Sequence, residues 1–355
     1  MKINKIFIIV PSSVNTSPIK GAAALANFLS QKIPVTFITL KHGISDFNLL
    51  NDNVEWISLA KYGWHKKLKI LKNILMQSGN SKSIATISSS FSADFINSLC
   101  VKYAITCGSV RGNLPVNYKH NYGLIGKLIA YSQFKRLERM DHIVSMTDFM
   151  ANQVQKYTGR KSSIIPNFID ESRLKTYYHK SKKKGSYKFI YTGSFTHGKQ
   201  PLLLIDAAVL LHSQGVKLTL DMFGDGVLLG EAKKRVNDLN LKNIVIFHGY
   251  VNEPYKYIAN ADVLVLPSLS EGVPRSVLEA LYFDVPCVLR NVDGNNEIIQ
   301  SGFNGALFND NSELPALMLR TAELSRNSIS NNKNLLPNNF RQDLCSQKYL
   351  DLLSS

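Results

Sequence analysis

Apolar positions in this chain come in short unbroken runs separated by amphipathic stretches. "KIFIIV" near the start, then "PVTFITL", "SIATISS", "YAITCGS", "DHIVSM" and "SSIIPNF", have the length and β-branched content of strands covered on both faces. Between the first two lies "KGAAALANFLSQ", whose apolar residues recur at helical spacing. A second series of runs follows: "FIYTGS", "LTLDMFG", "IVIFHG", "ADVLVLP" and "PCVLRN". The helix predicted over "LLLIDAAVLLHSQG" ends on a glycine stop. Strand and helix alternating in this way predict an α/β chain with parallel sheets under helices. The stretch "ESRLKTYYHKSKKKGSYK" has no apolar face and divides the two series. The expected organisation is therefore an N-terminal domain over 1–170, a basic linker over 171–188 and a C-terminal domain over 189–335. A final helix over 336–355 is open to a return to the N-terminal domain. Two doubly wound Rossmann-like domains leave a cleft at the carboxyl ends of their strands, where open α/β sheets bind ligands.

Length agrees with two cores rather than one, since 355 residues exceed what a single core organises. The apolar runs are far shorter than the roughly 20 residues a membrane span needs, and the first is too short for a signal peptide. Four cysteines without metal-ligand spacing read as reduced thiols of a cytoplasmic protein. Charge changes the picture more. Of the net +16, residues 1–170 hold 21 Lys and Arg against 8 Asp and Glu, whereas residues 189–355 hold 14 against 17. A basic half beside a nearly neutral half points to a polyanionic partner for the first domain.

Candidate chemistry concentrates in "SEGVPRSVLEALYFDVP", Ser270–Pro286. It follows a strand run and opens a helix, with Pro274 suited to the first turn. Glu271 precedes the helix and Glu279 lies inside it, about 10 Å apart at helical rise. Between them is a helix N-terminus, whose N–H groups and dipole favour a phosphate. A ligand with two hydroxylated rings joined by a diphosphate fits that spacing, with the hexose on Glu271 and the ribose on Glu279. Both acids also have a bland reading as solvated helix-end carboxylates. A glycoside hydrolase would need its carboxylates to flank one glycosidic bond, without a helix end between them.

The segment "PSLSEGVPRSVLEALYFDVPCVLRNVDGNNEIIQSGFNGALF" resembles the E-x7-E region of the retaining GT-B glycosyltransferases of family 4. The resemblance continues through "FIYTGSFTHGKQPLLLIDAA", "MFGDGVLLGEAKKRVNDLNLKNIVIFHGYV", "DHIVSMTDFMANQV" and "IIPNFID", and is loose over the first 130 residues. It implies a GT-B fold and transfer of a hexose or N-acetylhexosamine from a nucleoside-diphosphate sugar, a UDP-sugar above all. The implied acceptor is a glycan or lipid-linked oligosaccharide hydroxyl in surface polysaccharide synthesis. Glu271, Lys199 and Arg275 would be catalytic. Gly21, Gly193, Ser194, His197, Gly249, Val251, Gly272, Val273 and Glu279 would bind the donor. Ser194 stands where the family has Arg, and Arg275 at the helix start is the candidate for the missing charge. Arg111 and Asn113, in "CGSVRGNLPVNYKHNYG", are candidates for sugar or acceptor contacts where relatives place a His; a plain structural turn at Gly112 is the competing reading. The family mechanism would let the leaving phosphate take the acceptor proton, so the protein positions and stabilises charge.

The sequence has no D-x-D and no His/Asp cluster at ligand spacing, so no metal or other cofactor is expected. "FGDGVLLG" departs from the G-x-G-x-x-G spacing and is not read as a nicotinamide site. "WHKKLKILKNILM", Trp64–Met76, sets Trp64, Leu68, Leu71 and Leu75 on one face with lysines around it. That pattern suits either a helix lying on an anionic cytoplasmic membrane surface or one packed on its own sheet. Two rival functions remain open. A GT-B-fold epimerase or hydrolase would need acid/base His and Asp residues facing the sugar. A nucleic-acid binder would need aromatic residues interleaved with basic ones on a recognisable module, and none is present.

Overall fold

The computed structural model of the chain describes residues 2–43, 47–178, 185–327 and 334–355. Residues 179–184 of the basic linker and 328–333 of the expected C-terminal domain lie outside the described residues. Two compact units result: 1–170 with 338–355, and 171–337.

The first unit is a parallel sheet of β1 (Lys5–Ser12), β2 (Val35–Lys41), β3 (Val54–Ser58), β4 (Ile84–Ser89), β5 (Ile105–Val110), β6 (His142–Ser145) and β7 (Ser163–Ile164), in the order β3-β2-β1-β4-β5-β6-β7. Its helices are α1 (Ser17–Leu29), α2 (Trp64–Ser78), α3 (Phe91–Asn97), α4 (Leu114–Tyr122), α5 (Ile125–Leu137) and α6 (Asp148–Thr158). Ile6 and Ile8 of β1 point into a core shared with α1, while Phe7 and Ile9 point into a core shared with α2 and α3. Period-2 alternation inside one apolar run thus fills both faces of the sheet.

In the second unit α7 (Glu171–Lys175) leads into β8 (Tyr187–Thr192), α8 (Pro201–Ser213), β9 (Leu218–Phe223), α9 (Leu229–Asp238) and β10 (Val245–Gly249). There follow α10 (Tyr255–Asn260), β11 (Val263–Leu266), α11 (Arg275–Tyr282), β12 (Cys287–Arg290), α12 (Asn295–Ile298), β13 (Gly305–Phe308) and α13 (Leu314–Asn327). All neighbours pair in parallel, in the order β10-β9-β8-β11-β12-β13. Strand order therefore reverses between β1 and β4 in one unit and between β8 and β11 in the other, the switch points where doubly wound sheets open for ligands. The last helix, α14 (Gln342–Ser354), belongs to the first unit: Cys345, Tyr349 and Leu353 enter the α1 core, and Gln342 donates to the Ala24 carbonyl at 2.9 Å.

The apolar stripe of α2 corrects one reading. Leu71 and Leu75 are fully buried, and Trp64 and Leu68 pack against the same core, with the Trp64 ring 5.3 Å from that of Phe95. The four residues serve the sheet, so this helix has no apolar face to offer a membrane. The stretch that follows Gly112 is helical: Asn113 caps α4, and Pro115 occupies its first turn.

Candidate functional site

The loops after β8 and β11 flank the switch point of the second sheet, and they carry Lys199 and Glu271. The β8 loop starts at Gly193, whose amide donates to the Phe223 carbonyl at 3.0 Å. It tightens into a single 3-10 turn, His197–Lys199, before Pro201 opens α8. Gln200 holds the left-handed conformation between the two (φ 52°) and ties its side chain to the His197 carbonyl at 2.7 Å. The β11 loop is laced to this turn by Leu269, whose amide donates to the Gly198 carbonyl at 2.8 Å. With the loops joined, the Lys199 ammonium meets the Glu271 carboxylate at 2.5 Å.

Glu271 is held from its other side by Asp293, whose carboxylate accepts from the Glu271 amide at 2.8 Å and the Ser270 hydroxyl at 2.6 Å. Asp293 was not singled out from sequence. Its signal was the Asp-Gly dipeptide after a buried strand, and its backbone takes φ 46° to reach back. Pro274 is the extended N-cap of α11, and Arg275 starts the helix. Arg275 and Glu279 stand one turn apart with guanidinium and carboxylate 3.6 Å from each other. Glu271 and Glu279 keep 8% and 7% of their surface, so neither is a solvated helix-end acid. Two phenols missed in the sequence line the acids. Burial, and next the negative charge of Glu271, raises the Tyr191 phenol; burial and then Glu279 raise that of Tyr255. Both stay protonated donors, and Tyr191 donates to the Ser194 carbonyl at 2.8 Å.

The remaining second-unit candidates sit on adjoining strand ends. Ser194 and His197 are exposed on the β8 loop, while Gly272 and Val273 occupy the turn before α11. Gly249, at φ 68°, ends β10 and accepts from the Gly224 amide at 2.7 Å, with Val251 just beyond. The ring of His248 stacks on Phe223, 4.2 Å between centroids, and its Nε2 lies 2.6 Å from Asp221. In "FGDGVLLG" the first two glycines, Gly224 and Gly226, serve a close crossing with the β8 loop. Gly224 has φ 133°, and a Cβ there would stand 1.9 Å from the Gly193 carbonyl oxygen. The fully buried Asp262 is a different case: Arg326 and the Lys188 amide satisfy it at 2.6 to 2.9 Å, a structural clamp.

Gly21, Arg111 and Asn113 belong to the first unit. Gly21 lies inside α1, which begins one turn earlier at Ser17. The Arg111 guanidinium packs directly against it, so a side chain here would first displace that group. Arg111 in turn donates to Asn167 at 3.3 Å. Asn113 is buried, its oxygen accepting from the Val116 amide at 3.4 Å and from Gln153 at 2.8 Å. That is the structural-turn reading of Asn113, a helix cap rather than an exposed contact. Among the described residues no group of three or more His, Cys, Asp and Glu is placed to hold a metal, and no helix is long and apolar enough to cross a membrane.

Two parallel doubly wound sheets in one chain define an α/β protein of the GT-B fold. The structure of HepE from Anabaena in complex with UDP superposes at a TM-score of 0.76, covering 99% of each chain at 16% identity. Residues 175–335 match the family model for glycosyl transferases group 1. Among curated proteins it is similar to the UDP-Gal:alpha-D-GlcNAc-diphosphoundecaprenol alpha-1,3-galactosyltransferase of Escherichia coli, at 30% identity over 54% of this chain and 55% of that protein. It is also similar to the lipopolysaccharide 1,6-galactosyltransferase of Escherichia coli K12, at 27% identity over 42% of this chain and 46% of the relative. The chain thus spans about half the length of the curated relatives it matches.

Proposed function

We propose that the protein is a retaining glycosyltransferase that moves a hexose or N-acetylhexosamine from a UDP-sugar to a hydroxyl of a glycan or lipid-linked acceptor, on the cytoplasmic side of a membrane. The observation that carries this reading is the Lys199–Glu271 pair at the sheet's switch point, with the N-terminus of α11 and a second sheltered acid, Glu279, beside it. A UDP-sugar entering there breaks the ion pair. Lys199 transfers to the diphosphate, and Glu271 turns to the sugar hydroxyls. The α11 amides add donors to the phosphates without a metal, and Glu279 accepts from the ribose. Arg275 shares its charge with Glu279, so it supplies only part of what Ser194 lacks.

Charge that develops on the leaving UDP meets Lys199 already in place, which lowers the barrier more than it tightens ground-state binding. The leaving β-phosphate oxygen accepts the acceptor proton on the face it departs from, consistent with retention. The names of the galactosyltransferase relatives and of the UDP complex support the donor class.

A thermal-shift panel of UDP-sugars, GDP-sugars and UDP tests the donor. A ligand at 100 times its Kd stabilises by about 2.7 kcal/mol, and Glu279→Ala removes the uridine response. Turnover in excess EDTA and the anomeric configuration of the product, read by NMR, test the rest. A panel with no response, or a product of inverted configuration, refutes the proposal.

A further inference from the structure

The α4–α5 hairpin carries an apolar surface that none of the described residues covers. Leu124 is 81% exposed, Ile125 65% and Leu128 70%, with Tyr122 and Tyr131 also more than half exposed. Positions 124, 128 and 131 recur at helical spacing, so they form one face of α5 rather than scattered exceptions. The opposite face is already full. Gly126, Ala130, Gln133, Phe134 and Leu137 are buried, and the Phe134 ring stacks on Tyr157 at 4.7 Å. Gln133 donates to Asp94 at 2.6 Å and accepts from Tyr118 at 2.6 Å, fixing both helices to the unit beneath. Turning α5 to hide Leu128 would expose that set instead, so the outward apolar face is the resting arrangement of a rigid hairpin.

Charge around the patch selects its occupant. From Arg111 to Met140 the sequence has six Lys and Arg and a single acid, Glu138, which pairs with Lys135 at 2.8 Å. Lys119, His120, Lys127, Lys135 and Arg139 are exposed around the apolar residues. We infer that this face docks the first unit on an anionic lipid bilayer, with Leu124, Ile125 and Leu128 entering the acyl boundary. Tyr122 and Tyr131 lie at headgroup depth and the lysines on the headgroup charges. A second copy of the chain is a poor occupant, because a two-fold contact would bring the same cations against each other. The inference is independent of the donor-site reading, as bilayer binding needs no nucleotide.

Sedimentation with phosphatidylcholine vesicles, with and without 30% phosphatidylglycerol (a proportion of about one lipid in three), tests it on the full chain. The expected result is binding to the anionic vesicles that weakens as salt rises. Leu124→Ser with Leu128→Ser should lower the partition coefficient at least about tenfold. As a second variant, Leu128→Trp should show blue-shifted emission and quenching by brominated lipid. The urea midpoint of each variant, followed by circular dichroism, should match the parent. Absence of binding to either vesicle, unchanged binding by the double-serine variant, or a parent dimer that the double variant dissolves would each overturn the inference.

Discussion

Asp94 is completely buried beneath α5 and offers a quantitative test of how the first unit is held together. Its two oxygens accept from Ser88 at 2.7 Å and Gln133 at 2.6 Å, and the positive charge of Arg111 also acts on it. Loss of hydration favours the neutral acid, the two hydrogen bonds and Arg111 oppose it, and burial wins: the carboxyl rises from 3.8 to about 7. Between those values the folded state keeps a proton that the unfolded chain has lost. Stability tied to Asp94 is therefore full below pH 3.8 and falls as pH climbs through about 7. A shift of roughly three units is worth about 4 kcal/mol across that window.

Asp94→Asn removes the titrating proton while keeping size and hydrogen-bonding capacity, since the Ser88 hydroxyl can reverse its bond. The variant should gain on the parent by about 1 kcal/mol per pH unit between pH 4.5 and 6.5 and level off above pH 7. Urea melts at several pH values measure this, with tryptophan emission as the signal. The chain's two tryptophans, Trp56 and Trp64, both lie in the first unit, so that unit is read without the other. Comparing variant with parent cancels other titrating groups, such as His142, which burial lowers. Parallel stability curves would show Asp94 ionised throughout, with its donors and Arg111 outweighing burial.

Legibility in the sequence followed the strength of each local constraint. Central strands such as β1 and β11 are apolar on both faces and stood out as continuous runs. β3 and β13 are edge strands like β7 and β10, but they lack the unbroken apolar run that marks those two. "VEWIS" has Glu55 and Trp56 partly in water, and "GALF" is only four residues long. The α2 stripe was visible, but its spacing cannot say whether a sheet or a bilayer receives it. The packing of Leu71 and Leu75 decides that. For the outward face of α5 the difficulty was the reverse. "GLIGKLIAYSQF" is apolar on two sides, and which side is buried depends on Gln133 reaching Asp94, a partner 39 residues away. At the site, Glu271 and Glu279 could be named from one loop–helix pattern, and Lys199 from the family resemblance of the β8 loop. Asp293 and the two tyrosines could not, because they approach from other elements of the unit and their spacing to Glu271 carries no period.

Three further outcomes are expected. Leu71→Ala should destabilise the first unit by about 2–5 kcal/mol in urea melts followed by tryptophan emission, because the side chain is core; a change under 0.5 kcal/mol (about the noise for surface positions) would return the α2 stripe to the surface. Lys199→Ala should cut turnover at least about 100-fold in a UDP-release assay, with Lys199→Arg recovering part of it; activity within about threefold of the parent would remove the ammonium from the reaction. Gly224→Ala should abolish the UDP thermal shift yet leave the urea midpoint from Trp56 and Trp64 unchanged. The new methyl must displace the Gly193 carbonyl at a backbone angle of φ 133°, a strain of order 1–3 kcal/mol before any clash is counted. Because the β8 loop that moves is the one that sets Lys199 on Glu271, a variant that still binds UDP as the parent does would separate that crossing from the site.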